Sequence, residues 1–403
     1  MKKFNKNSLL FIFVMIFIIE GICGNCFEQL KRKTIDMLVG LKHGNIYSIF
    51  DFKANVDDLS NKELSYHDTM MDINSVKENL LGTQVVEKDD TTVVKSNSGS
   101  LVKPLNKLDK GEIQSIVKAI RDLKTVSEDN GANFLYCAAP TKELYQSVPT
   151  NIVNPFKDNY ELFLSELTKS NIPTLDFSEV LGENQLNFNI FYYTDHHWTT
   201  RAAFAANNAL LEELSIRFGF EYDKKITDIS NYNIENYQNW FLGSYGKKVG
   251  TYFTWKGADD FDLITPKFKT SFTEEQSFKN QKRTGNFEET LLYMENMKKD
   301  YYNMNTYATY SGGDFRLQIM KNNLNPQGKK VLLIRDSFAC AVAPFLSLQT
   351  RELHLCDMRD YDYYVGDKLN MKDYIQQIKP DYVLVLYAGI SDISNSHSRY
   401  NFF

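Results

Sequence analysis

Four short apolar runs, set apart by stretches of helical periodicity, constrain this chain more than any other feature. They are Asn133-Phe134-Leu135-Tyr136-Cys137-Ala138, Lys330-Val331-Leu332-Leu333-Ile334, residues 352–356, and Tyr382-Val383-Leu384-Val385-Leu386. A strand with one wet face alternates apolar and polar residues, so a run without that alternation reads as a strand buried on both faces. Between the runs, Ile113, Ile116, Val117, Ile120, Leu123 and Val126 recur at helical spacing, and Gly131 sits where a helix cap would. Tyr160, Phe163, Leu164 and Leu167 suggest a second helix, followed by a strand at 172–176. Buried strands alternating with helices predict a three-layer α/β domain with a parallel central sheet over residues 110–403. No fixed-period repeat is visible.

The stretch 220–325 fits this pattern poorly. It is rich in Asn, Tyr, Gly and Lys, carries Trp240 and Trp255, and is expected to be an irregular insertion over the sheet, a candidate lid. Residues 28–109 mix charged and polar runs and read as a juxtamembrane stalk leading into the first helices and a small hairpin. Ahead of them, Lys2, Lys3 and Lys6 precede the apolar run 9–19, the form of a signal peptide or signal anchor over residues 1–27. No small-x-small cleavage site stands out, which favours an uncleaved single-pass anchor over a cleaved signal. Either way the body is expected outside the cytoplasm. The balance of 46 Lys+Arg against 51 Asp+Glu argues against a nucleic-acid binder, which needs a basic stripe. Five cysteines are too few for a disulfide scaffold; Cys137, Cys340 and Cys356 read as free buried thiols. No glycine-rich phosphate loop follows the first strand, so no cofactor is expected.

In open α/β sheets ligands bind beyond the carboxyl ends of the strands. The residues found there are Thr141 and Lys142, Asp336 and Ser337, Asp357 and Arg359, and Gly389, Ser391 and Asp392. The densest signal is Tyr193-Thr194-Asp195-His196-His197-Trp198-Thr199, which holds two of six histidines. Thr199 suits the N-cap of a helix whose core face is Phe204, Leu210, Leu211 and Leu214. Asp195 and His197 therefore lie in extended or turn backbone. Residues two apart there project to one side, about 6–7 Å between Cα atoms, so the carboxylate reaches the imidazole N–H. His196 points the other way and packs or bonds structurally. Two other readings stay open: loop histidines that satisfy backbone, and a metal held by Asp195, His196 and His197, although no partner cluster at ligand spacing accompanies them. The second signal is Arg335-Asp336-Ser337-Phe338. A serine between a buried strand and a helix sits on a sharp turn with its Oγ exposed and its N–H available to an oxyanion, or else is an ordinary helix cap. On one rim, Ser337, His197 and Asp195 make a candidate acyl-transfer triad.

At these motifs the chain resembles the DHHW-motif proteins, which belong with the alginate O-acetyltransferase-like branch of the SGNH hydrolase superfamily. The resemblance rests on Asp195-His196-His197-Trp198, Arg335-Asp336-Ser337-Phe338 and Pro140-Thr141-Lys142. Softer matches at 241–246, 311–314 and 357–359 follow in the family's order, so it covers roughly residues 80–395. It implies a flavodoxin-like α/β/α fold, an extracytoplasmic location, and acyl transfer, usually acetyl, to a cell-surface or secreted polysaccharide. A membrane-bound protein is the implied source of the acyl group. Carried over, Ser337 is the nucleophile, His197 the general base and Asp195 its orienter. Two departures bear on the oxyanion site: Arg335 stands where a glycine is usual, and Ser391 replaces the oxyanion-binding asparagine. An esterase of the same fold and a non-catalytic polysaccharide-binding protein remain the alternatives. Trp240, Tyr245, Tyr252 and Trp255 are candidates to stack on sugar rings or to form a small satellite core. Lys142 and Arg359 are candidates to meet acidic sugars or to form surface salt bridges.

Overall fold

The computed structural model describes residues 67–88, 91–150, 152–183, 186–276, 281–361, 364, 368–388 and 399–403. The chain divides into two compact units, Met1–Leu80 and Leu81–Phe403. In the first, the described residues form one helix, α1 (His67–Leu80). Residues 1–27, expected to target the chain to a membrane, lie outside the described residues. Among the described residues no helix is long and apolar enough to cross a membrane.

The second unit opens with a small antiparallel sheet, β1 (Val85–Lys88), β2 (Thr91–Lys95) and β3 (Leu101–Val102). The α/β body then runs α2 (Lys110–Asp129), β4 (Asn133–Ala139), α3 (Phe156–Lys169), β5 (Thr174–Asp176), α4 (Phe177–Glu183) and α5 (Thr200–Phe218). After it come β6 (Tyr232–Phe241), α6 (Ser244–Val249), β7 (Asp259–Pro266), β8 (Phe272–Gln276), β9 (Gln281–Gly285), α7 (Phe287–Leu291) and β10 (Leu317–Asn322). The chain finishes with β11 (Lys330–Arg335), α8 (Ala343–Ser347), β12 (Glu352–Asp357), α9 (Met371–Ile378) and β13 (Tyr382–Ala388).

The main sheet has eight strands in the order β5-β4-β13-β11-β12-β10-β8-β9. The first five are parallel, as the apolar runs predict. All seven residues of β13 are buried, because it lies between β4 and β11 with helices on both faces. Its side chains alternate between two cores. Val383 and Val385 join Phe134, Leu332 and Ile334 beneath α2 and α3, while Leu384 and Leu386 join Leu135, Val331 and Leu333 against α5 and α8. Each such fully buried side chain contributes about 1.5–3 kcal/mol.

The helices follow equally local rules. Asp109 and Glu112 close a capping box on α2, whose buried face is Ile113, Ile116, Val117, Ile120 and Leu123. Thr199 caps α5, and Gly219 ends it in the left-handed region at φ 70°. The stretch 220–325 holds more regular structure than its composition reveals. β6 and β7 pair with each other, while β8, β9 and β10 extend the main sheet antiparallel beyond β12. With β11 flanked by β12 and β13, and β4 beyond β13, the carboxyl ends of four parallel strands share one rim.

Candidate active site

On that rim the segment ahead of α5 folds back on itself. An isolated bridge joins Phe191 to Trp198, and the Tyr192 N–H donates to the His197 carbonyl at 3.3 Å. Asp195 Oδ1 accepts from both the N–H and Nδ1 of His197, at 2.9 and 2.5 Å, and Oδ2 accepts from the Ser244 N–H at 2.6 Å. Burial alone would raise the Asp195 carboxyl; the neighbouring His196 and His197 and these donors outweigh it and hold it well below the usual carboxylate range. The close approach of Ser244 requires Gly243, where an added Cβ would lie 2.2 Å from the Asp195 Cβ.

Ser337 starts the short turn that follows β11. Asp336 caps this turn by accepting from the Phe338 N–H at 3.0 Å, and its other oxygen accepts from the Ala388 N–H at 2.8 Å. Trp198 Nε1 and the Tyr307 hydroxyl both donate to the Phe338 carbonyl, at 3.0 and 3.2 Å. Held in this way, Ser337 Oγ lies 2.7 Å from His197 Nε2. The His197 ring stacks on Tyr307, with centroids 4.0 Å apart and planes at 12°. Ser337 lines an open pocket of about 490 Å³ together with Thr141, His196, Ser244, Tyr245 and Arg359.

Of the remaining residues singled out in the sequence, Tyr245, His196 and Arg359 reach the same pocket, whereas Lys142 and Trp240 do not line it. Tyr245 lines the pocket, its ring 5.8 Å from that of His196. His196 also lines it, with Nδ1 at 2.9 Å from Ser244 Oγ and its ring 3.8 Å from that of His197. Lys142 neither meets the pocket nor forms a surface salt bridge: its ammonium is 0% exposed and is held by carbonyl oxygens. Burial pulls its pKa down to about 8, against the opposing pull of Asp259, Glu143 and Asp195. Arg359 reaches the pocket wall but is committed to Asp357 and Asp314, at 2.9 and 3.0 Å, a largely buried pairing. Trp240 lies away from the pocket, half-buried, its Nε1 donating to the Met297 carbonyl at 2.9 Å. Trp255 and Tyr252 are exposed. Ser391, with Gly389 and Asp392, lies outside the described residues.

Arg335, two residues before the serine, enters a largely buried ion-pair cluster. It pairs with Asp314, donates to the Gly313 carbonyl at 2.9 Å and lies 3.9 Å from Asp357. Cys137, Cys340 and Cys356 are free and buried. Ligand-type atoms of Asp195, His196 and His197 lie within 4.8 Å of one another. The hydrogen bonds above already occupy both nitrogens of His197, Nδ1 of His196 and both Asp195 oxygens. Metal ligation would have to break that chain.

Two contributors escaped the sequence reading. Asp259 accepts from the Tyr193 and Thr194 N–H groups at 2.5 and 2.8 Å and so shapes the turn, and Tyr307 stacks on His197. Their common signal, an isolated polar residue in a stretch without periodicity, is too weak to single them out. Asp314, at the end of the 311–314 match, has no role assigned there; it pairs with Arg335.

Residues 100–226 match the family profile described as "SGNH hydrolase-like domain, acetyltransferase AlgX". Among solved structures the chain is similar to Bacillus cereus PatB1, at 22% identity over 77% of this chain and 99% of that one, with a TM-score of 0.63. A structure of PatB1 with a sulfonyl adduct matches at 22% identity over 79% and 99%, TM-score 0.62. A DHHW family protein from Eubacterium siraeum DSM 15702 matches at 18% identity over 78% and 96%, TM-score 0.58. No curated protein sequence matches the chain. The SGNH hydrolase-like α/β/α fold implied by the motifs is thus the fold of this chain, and the resemblance holds at the level of that domain.

Proposed function

We propose that this protein is a serine-dependent O-acyltransferase, with acetyl as the transferred group, acting on a polysaccharide outside the cytoplasm and tethered by its N-terminal segment. The observation that carries the reading is the unbroken contact chain Ser337 Oγ–His197 Nε2 at 2.7 Å and His197 Nδ1–Asp195 Oδ1 at 2.5 Å. With the Nδ1 proton donated to Asp195, Nε2 is free to accept the Ser337 proton as Oγ attacks the acyl carbonyl. Asp195, kept ionised by its surroundings, stabilises the imidazolium that forms. The tetrahedral oxyanion is assigned to the Ser337 N–H and donors from neighbouring rim loops. Collapse leaves acyl-Ser337 and returns the proton to the leaving group. A sugar hydroxyl, deprotonated by the same imidazole, then takes the acyl group and regenerates the serine. The matched acetyltransferase profile supports the choice of acetyl; the sugar acceptor and a membrane-bound protein as acyl donor belong to the proposal.

The test is turnover of an activated acetyl ester by the full-length protein, with and without added glycan. Wild type is expected to release the leaving group, Ser337→Ala to lose that release, and acetylated sugar to accumulate when glycan is present. Equal inertness of the two proteins refutes the catalytic reading. Release without sugar acetylation makes the protein an esterase.

A further inference from the structure

We infer that Lys142 is a positioning residue for the proposed acyl transfer: its buried ammonium gathers the carbonyls of Tyr192, Tyr193 and Asp195 and so fixes the turn that aims His197 at Ser337. The inference rests on the reading of Ser337 and His197 given above. Lys142 follows β4, and its side chain runs inward, away from solvent. Nζ lies 2.6 Å from the Tyr192 carbonyl, 3.1 Å from that of Tyr193 and 2.7 Å from that of Asp195. An ammonium has three N–H donors, and here three acceptors meet them.

A buried charge has a purpose only if its surroundings use it, since desolvation opposes it. Asp259 in turn takes the Tyr193 and Thr194 N–H groups and the Thr194 hydroxyl, at 2.5, 2.8 and 2.5 Å. Residues 192–195 are thereby pinned between a cation that collects their carbonyls and a carboxyl group that collects their donors. Neither group touches the reacting atoms.

The clamp depends on protonation. A neutral Lys142 amine has two N–H donors for three carbonyls and turns a lone pair toward the third. Burial brings that proton loss down to about pH 8, while Asp259, Glu143 and Asp195 resist it. His196 feels the Lys142 charge, and the Tyr245 ring lies 6.0 Å from Nζ. The site is therefore expected to lose its alignment on the alkaline side.

The experiment compares wild type, Lys142→Met and Lys142→Arg in activated acetyl ester turnover from pH 6 to 10, with thermal melting recorded for each. A misplacement near 1 Å costs about 100-fold, so Lys142→Met is expected to lose about that in kcat while KM changes little. Wild type should lose activity with a midpoint near pH 8. Lys142→Arg, which keeps its charge, should recover part of the rate and lose that alkaline decline. A folded Lys142→Met variant at the wild-type rate overturns the inference, and so does an alkaline decline unchanged in Lys142→Arg. Where neither variant folds, a wild-type profile that stays flat to pH 10 overturns it alone. Wild type and Ser337→Ala equally inert would bring down the acyl-transfer reading itself; an active wild type beside a fully active Lys142→Met brings down only the role of Lys142.

Discussion

Replacing Gly243 by alanine tests whether the site depends on the spacing between α6 and the turn that carries Asp195. The backbone at Gly243 has φ −73° and ψ 177°, which any residue adopts, so conformational strain is not the issue. Space is. An added Cβ would lie 2.2 Å from the Asp195 Cβ and 2.5 Å from its Cα and N. Carbon atoms pack at about 3.5–4.0 Å, so the two segments must part by more than about 1 Å. The atoms in the way are backbone and Cβ, which have no rotamer in which to escape. The same parting pulls the Ser244 N–H from Asp195 Oδ2, now at 2.6 Å, and the Gly243 N–H from Thr194 Oγ1, now at 2.8 Å. Overpacking of this kind costs about 1–3 kcal/mol in stability. The displaced Asp195 should cost about 100-fold in kcat. Activated acetyl ester turnover measures the second effect and chemical denaturation the first. Gly111→Ala is the control, because its new Cβ would meet only the Asp109 carboxylate, at 3.7 Å or more, near the start of α2. A Gly243→Ala enzyme that keeps its kcat would refute the claim that Asp195 acts through its present placement.

Two further outcomes follow from the same geometry. Ser337→Ala and His197→Ala together should cost little more in kcat than either alone, since the residues act as a unit; full additivity in a double-mutant cycle would separate them. Asp259 is raised by burial to about 6 from an ordinary 3.8, against its hydrogen bonds to Thr194 and Tyr193. The folded state therefore holds this proton more tightly than the unfolded chain, and stability is lost as pH rises through the interval from about 4 to 6. The loss amounts to about 3 kcal/mol at most. Urea denaturation across that range should show this slope in wild type and not in Asp259→Asn, and parallel curves would contradict it.

The parallel part of the sheet was legible because burial on both faces leaves no freedom in the sequence. Tyr382-Val383-Leu384-Val385-Leu386 can be little else, and the helices beside it carry both periodicity and caps. The antiparallel part was not legible. β8 reads Phe-Thr-Glu-Glu-Gln and β9 Gln-Lys-Arg-Thr-Gly, strands toward the sheet edge whose polar residues have partners that a local pattern cannot show. Glu274 in β8 is buried, yet Tyr293 and Gln318, both distant in sequence, satisfy it. Strands of this kind are specified by what they meet, and so they resemble loops when read alone.

The contact of Ser337, His197 and Asp195 could be anticipated from short-range arithmetic: an Asp-x-His before a helix cap, and a serine after a buried strand. The residues that make this contact rigid could not. Lys142 reads as an exposed cation until the fold shows three carbonyls waiting for it, 50 to 53 residues away. Arg335 reads as a fault in the serine motif, where a glycine is usual, until Asp314 and Asp357 are found beside it and Arg359 closes the other side of both. Each of these charges is costly in isolation and becomes tolerable only with its partners in place. Removing Arg335 would leave the buried Asp357 and the partly buried Asp314 with Arg359 as the cation they share. Charged side chains within a core therefore carry the least local information of any residues in the chain. Here one of them, Lys142, sits on the three carbonyls of the turn that carries His197, the placement on which its inferred positioning role rests.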